Sequence, residues 1–288
     1  MGSRGWPTLC ARRFYLTCAR SAVRASLEFG VAGGRTTLLH QQVPYPFHIT
    51  RPFYLDPDAP NVATLYLQSA SGGMYRGEQL NLNLNARQGS AVAVTTQSAT
   101  IVHNCYGFPA TQIVRLSAAA DSIVMYMPEC VVLFPGASLY TVLDVTLEAG
   151  AVAVCQEGFA CHDPHGGSAT FDQLSSELNV RDASGRVYVA DRGTIIGLSL
   201  GTAASPLGPY HACGSVFLLG MPLPDAAELA RKLDGLDCFS GVSSLPNGIG
   251  TAIRVLARSG SGLAAGLACA SAACFQAAVG VTPAPRRK

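Results

Sequence analysis

Two thiols and two imidazoles lie close together in Cys155 and the run Cys161-His162-Asp163-Pro164-His165. Thiolate and imidazole donors suit borderline metals such as nickel, copper or zinc. The spacing C-x5-C-H-x2-H fits no standard zinc finger, and Pro164, Gly166 and Gly167 mark its second half as a loop. His103, two positions before Cys105, adds a further imidazole at a strand end. A Cys/His nucleophile pair there would need adjacent side chains and a third, orienting group, which the sequence does not supply. The candidate metal set is therefore His103, Cys155, Cys161, His162 and His165, set against the simpler reading of buried thiols and surface rings. Other chemistry is thin. The chain carries no GxGxxG, phosphate loop or HExxH, and its 18 acids are scattered where acid–base catalysis needs them paired.

A second group of candidates is uncharged or aromatic. Gly72, Gly73 and Gly77 bracket Tyr75-Arg76, and Ser69 precedes them. A ring and a guanidinium on so permissive a backbone read as interface anchors. Thr95-Thr96-Gln97, followed by Thr100, forms a polar row after an apolar strand. Inside a core such a row needs hydrogen-bond partners, whereas along a water-filled passage it is at home. Glu129, after Pro128, is a lone acid beside an apolar strand, either buried with a partner or at a rim.

The elements that must position these residues are mostly strands. Leu65 and Leu67 alternate with Tyr66 and Gln68, Leu80, Leu82 and Leu84 alternate with asparagines, and Ala91 to Thr96 runs on after Gly89; period two marks half-buried strands. GSAVAVTTQ, DSIVMYMPE and GAVAVCQE share one design of turn residue, alternating strand and polar end, and their turn residues Gly89, Asp121 and Gly150 stand 32 and 29 positions apart. A period of that length predicts stacked strand–turn–strand units, a layered, β-helix-like and mainly β fold. Upstream, two strands from Ala25 meet at Gly33-Gly34, and the proline-rich segment from Pro44 to Pro57 must lie extended, pinned by Tyr45, Phe47, Phe53 and Tyr54. Downstream, strands at 170–181 and 186–196 form a hairpin and 214–220 a further strand. Two C-terminal α-helices follow: DAAELARKLDG, with Asp225 as N-cap and Gly235 as stop, and an Ala-rich run from about Ser261.

Bulk composition narrows the function classes. A charged fraction of 13% and a net charge of +2 lack the basic excess of an electrostatic nucleic-acid binder. Ten cysteines without a repeated spacing read as reduced thiols of a chain large enough to fold without staples. Residues 1–24 are expected to be a disordered leader, with 25–288 as a single domain. The stretch from Gly262 to Val281 is uncharged and long enough to span a bilayer, but it is mostly Ala and Gly, and the expectation is a helix packed on protein, with no membrane partner.

In this order YPFHITRPFYLD, YLQSASGGMYRGEQL, VTTQSATIVH, YMPECVVLFPGA and SSLPNGIGTAIRVLA resemble the urease accessory protein UreD family, also called UreH. The resemblance covers about residues 25 to 258. It implies a cytoplasmic, non-enzymatic scaffold that binds the urease apoprotein and the accessory proteins UreF and UreG, with no permanently bound cofactor and with nickel as transient cargo. It also implies a passage for the metal through a layered β fold. In that light Ser69 to Gly77 becomes a partner-facing turn and Thr95 to Gln97 a candidate lining. The chain departs from the family where Cys130 replaces a proline after Glu129, and where Cys269, Ala272, Ala273 and Cys274 fill a helix that carries Arg and Trp in relatives. The Cys161-His162-His165 cluster is no signature of the family. Two other classes remain open at this point: a stand-alone metal binder, and a β-helical carbohydrate-acting enzyme using the Tyr75-Arg76 ledge.

Overall fold

The corner residues named above set the architecture. In the computed structural model, which describes residues 22–202 and 205–285, Gly89, Asp121 and Gly150 all take positive φ (68°, 56° and 72°) and lie on one another. The Gly89 N–H donates to Ala120 O and the Asp121 N–H to Ala149 O, each at 3.2 Å. Ser90 and Ser122 close equivalent turns by donating to Arg87 O and Ala119 O. Asp is among the few non-glycine residues that tolerate this left-handed conformation.

The chain begins with β1 (Val23–Ala32), β2 (Arg35–Gln42) and β3 (Phe47–Ile49). The winding part follows as β4 (Ala63–Ser69), β5 (Gln79–Ala86), β6 (Ala91–Thr96), β7 (Ile101–Val102), β8 (Ala110–Ala118), β9 (Ile123–Met127), β10 (Val131–Leu133), β11 (Ser138–Leu147), β12 (Val152–Cys161) and β13 (Gln173–Asp182). It closes with β14 (Val187–Ile196), β15 (Ala212–Leu219), α1 (Ala226–Asp234), β16 (Phe239–Ser244), β17 (Gly250–Ala257) and α2 (Gly260–Val279). Successive coils send β4, β6, β9 and β12 to one sheet and β5, β8, β11 and β13 to the other, all in parallel register. Antiparallel strands finish both sheets, β2 and β14 at the edges of one, β3 and β16 at the edges of the other.

Parallel register stacks like on like. Leu65, Val94, Tyr126 and Cys155 are consecutive partners across one sheet, continued by Phe217 and Ala252. Leu82, Val114, Leu143 and Leu178 do the same across the other. All ten are buried and face one another in the inter-sheet core. The outer face of the first sheet is covered by α1 and α2, with Val154, Val216 and Val255 meeting Leu229, Leu263 and Leu267. α2 is long and apolar enough to cross a membrane by length and composition, yet Leu263, Leu267, Ala270, Cys274 and Phe275 form one buried stripe on the sheet. Its small residues permit this approach: a Cβ on Gly266 would stand 2.7 Å from Val255 Cγ1, and one on Gly214 2.8 Å from Leu267 Cδ1. The helix is therefore buried on one face only, with Ala264, Ala265 and Ala268 exposed.

Several expectations need adjustment. Residues 1–21 of the expected leader lie outside the described residues, and Val23 and Arg24 already belong to β1. Asp225 occupies the N-cap position of α1 but makes no side-chain cap bond, whereas Ser259 caps α2 by accepting from the Gly262 N–H at 3.1 Å. The hairpin β16–β17 was not anticipated. Its first strand, FSGVSS, has too few apolar residues to alternate, and its loop carries Pro246 and Asn247 at a positive φ of 58°. Cys130 fits where a proline was expected because it lies over Gly158, whose missing Cβ would stand 2.8 Å from its Sγ.

The docking of α2 makes a quantitative expectation. Leu267→Ala should destabilise the protein by about 3 kcal/mol in urea unfolding, while Ala264→Ser on the exposed face should change stability by less than about 0.5 kcal/mol. Equal effects would mean that this helix is not held by the buried stripe.

Candidate functional site

Two residues beyond each apolar row, the inward positions change character. In one sheet Leu80 is followed across the strands by Gln112, Thr141, Ser176 and Gly193. In the other the matching row runs from Leu67 to Thr96, passes Pro128, and continues through Glu157, Ser215 and Arg254. Beyond them the interior is apolar again, with Ala110, Leu139, Phe159, Phe171 and Leu174 in a separate cluster. Between these clusters lies an inter-sheet cavity of about 530 Å³, lined by both rows and by apolar side chains such as Val114, Tyr126, Leu143 and Phe159. It crosses from β4 to β17, five strand spacings in sheet order, or roughly 24 Å at about 4.8 Å per spacing. It thus runs along the winding axis and not across it.

Near β4 the wall is formed by Ser69, Gly72, Gly73, Thr96, Gln97, Thr100 and Glu129. Gln68 Nε2 donates to Gln97 Oε1, and Gln68 Oε1 meets His48 Nδ1 at 2.7 Å. Thr96 Oγ1 accepts the Glu129 N–H at 2.8 Å, tying two neighbouring coils. Gly73 is required here: the Met74 N–H donates to Ile101 O at 2.7 Å, and a Cβ on Gly73, at φ 134°, would stand 2.4 Å from that oxygen.

At the opposite end Arg254 of β17 reaches across to Asp191 of β14 in an ion pair that joins the two sheets, and its Nη1 donates to Ser215 Oγ at 3.3 Å. Glu157 lies beside them. Burial pushes its pKa up to about 7, Arg254 opposes that shift and Asp191 adds to it. Glu157, Asp191 and Arg254 were not singled out from the sequence. A signal existed, since the alternating strands of VTTQ, MYMPE and VCQE all end on polar residues.

The sequence candidates divide between three environments. Thr95 is not part of the lining: one residue from Thr96, its side chain points to the opposite face of the sheet and its Oγ1 donates to Met127 O at 2.8 Å. The two-residue pleat allows only one of the pair to face inward. Tyr75, Arg76 and Gly77 stand outside the cavity. Tyr75 stacks on His103 with centroids 4.5 Å apart, His103 meets Phe134 edge-on at 5.5 Å, and Phe134 meets His162 at 5.7 Å. Each ring belongs to a different coil, so this is an external ladder. Arg76 lies 4.2 Å over the Phe108 ring, and the Gly77 N–H donates to Phe108 O.

The five proposed metal ligands are not gathered into one site. Cys155 and Cys161 occupy a single strand, β12, so six residues of extended chain, about 20 Å, separate them. Cys155 is buried in the inter-sheet core, where burial foremost, with the charge of Glu157, holds its thiol well above the ordinary range. Burial also pushes Cys161 up to about 11, with its thiol 3.5 Å from His211 O. His103 and His162 belong to the ring ladder, and the His165 N–H donates to Asp163 in a surface turn. Among the described residues no three His, Cys, Asp or Glu side chains come close enough to hold an ion.

Because the pKa of Glu157 is raised, the folded state holds its proton between the ordinary carboxylate value and about 7, and the unfolded state does not. This residue's contribution to stability is therefore greatest at low pH and is lost as pH rises to about 7. The stability of Glu157→Gln relative to the parent should accordingly increase from pH 5 to pH 8 in urea titrations. A pH-independent difference would show that the carboxyl is not held in this environment.

The sequence matches the family model described as UreD urease accessory protein over residues 21–288. It is 45% identical over 272 residues to "Urease accessory protein UreD 1" of Methylorubrum extorquens, covering 92% of each chain. It is 45% identical to the protein of the same name from Methylorubrum populi, again covering 92% of each. With that of Bradyrhizobium sp. strain BTAi1 it shares 40% identity over 95% of this chain and 98% of the relative. Matches of this extent run through the whole winding core, the closing hairpin and both helices: the chain belongs to the UreD urease accessory protein family.

Proposed function

We propose that this chain is a non-catalytic scaffold of urease maturation. It binds the urease apoprotein together with UreF and UreG in the cytoplasm, and it passes nickel to the urease active site through its own interior. The observation that carries this reading is the polar layer between the sheets. A closed sandwich has no use for matched inward rows of Gln, Thr, Ser and Glu, because polar groups withdrawn from water are costly without partners. Here the rows meet at a cavity that follows the winding axis from β4 to β17. Oxygen donors spaced along such a cavity can exchange a divalent ion between weak sites. Gathered thiolates would hold it tightly, and a carrier must release what it carries.

Glu129 and Glu157 are the lining carboxylates in this reading, and the Arg254–Asp191 ion pair stands at the β17 end. The Tyr75–Arg76 turn and the ring ladder give a partner-facing surface outside the channel, aromatic and guanidinium groups being enriched at protein interfaces.

Narrowing the channel should separate transport from assembly. Thr96→Leu combined with Gln97→Phe, expressed with the urease operon, should lower urease activity and nickel content at least ten-fold while recovery of the complex with urease and UreF in pull-downs is unchanged. Loss of the complex would make these residues structural. Full activity in an intact complex would exclude the interior route.

A further inference from the structure

A second concavity lies at the open end of the winding, between the edge strands β2 and β3 and the extended segment after them. It is a groove of about 890 Å³ whose floor includes Leu38, Val43 and Ile49 and whose walls carry Arg35, His40, His48 and Arg51. No carboxylate lines it among the described residues. Glu28, opposite His40 in the β1–β2 register, is taken by Arg87. The groove side chains are positioned by the fold: Arg35 lies 4.4 Å over the Tyr54 ring, Tyr54 OH donates to Thr36 O at 2.8 Å, and His48 is bonded to Gln68. Beside them Leu39 and Tyr45 are 44% and 71% exposed, so apolar anchors flank a cationic trough.

The geometry points to this groove as the docking site for an extended acidic segment of a partner protein, laid between the two edge strands. Edge strands present main-chain groups to added strands. The Thr36 N–H and C=O are already bonded to Asn61 O and Tyr54 OH, so β2 offers residues 37–42, about 20 Å of edge. Charge selects the occupant. A second copy seated in the groove would bring its own Arg35 and Arg51 against these, which like-charge repulsion opposes. The chain's own first 21 residues carry Arg4, Arg12, Arg13 and Arg20 and no acid, the wrong sign for this trough. A segment alternating carboxylates with small apolar side chains matches both the walls and the floor. The inference rests on the groove alone and holds whether or not metal travels through the interior.

The test uses the full chain and three fluorescein-labelled probes in anisotropy titrations: an octapeptide alternating Glu and Val, its Lys and Val counterpart, and a single-stranded DNA octamer. The Glu/Val peptide should bind, weaken with added salt, and slow hydrogen exchange at residues 35–42 and 47–51. Arg35→Gln with Arg51→Gln should weaken it at least ten-fold. Arg51→Gln alone, which leaves the Arg35–Tyr54 stack in place, should weaken it at least three-fold, and thermal melts establish that both variants are folded. Absence of peptide binding, equal binding of the Lys/Val peptide, protection elsewhere, or indifference to both variants would overturn the proposal. Tighter binding of the DNA at the same strands would assign the groove to nucleic acid instead.

Discussion

Parallel strand register is the constraint on which the rest of this structure depends. Once Gly89, Asp121 and Gly150 stack at one corner, every coil presents its residues at the same depth, and like residues gather in rows. The row through Leu65, Val94, Tyr126 and Cys155 seals the core. Two residues further along, the row through Thr96, Glu157, Ser215 and Arg254 opens it. No single side chain makes the cavity; repetition does. The same register explains why the outer ladder of Tyr75, His103, Phe134 and His162 has one ring per coil.

Strandedness and winding were legible because both are periodic. Alternation places Leu80, Leu82 and Leu84 on one face, and the corner spacing shows that the strands stack. The sense of each strand was not legible, since a shift of one residue exchanges the two faces. Thr95 and Thr96 are equivalent in sequence, and only the sheet's position between the core and α2 decides that Thr96 faces inward. The Cys/His cluster misled for a related reason. Closeness in sequence is closeness in space in a turn or helix, but along β12 it is distance, which puts Cys155 in the core and Cys161 near the strand's end. Arg254 was invisible as a site residue because its role comes from Asp191, 63 positions away.

The two ends of the cavity differ in physical character. Near β4 the polar groups are predominantly amides and hydroxyls, joined side chain to side chain from His48 through Gln68 to Gln97, with Glu129 beside them. Near β17 they are charged, and the Arg254–Asp191 pair holds the two sheets together where the winding ends. A carboxyl with a pKa of about 7 between them can change its charge within the physiological range, so Glu157 is the lining group whose affinity for a cation depends most on its surroundings. The groove between β2 and β3 shares Phe47 with the β4 end of the cavity, so a segment seated there would lie beside that mouth.

The claim that metal travels inside the winding is tested most directly by locating the metal. Anomalous diffraction at the nickel absorption edge, from crystals of the chain in complex with its partners and soaked in nickel, distinguishes interior from surface sites. The account predicts anomalous density between the sheets, beside Glu129 or Glu157, with no ion bridging Cys161 and His162. Density confined to surface histidines, with the inter-sheet cavity empty of metal at saturating nickel, would contradict it.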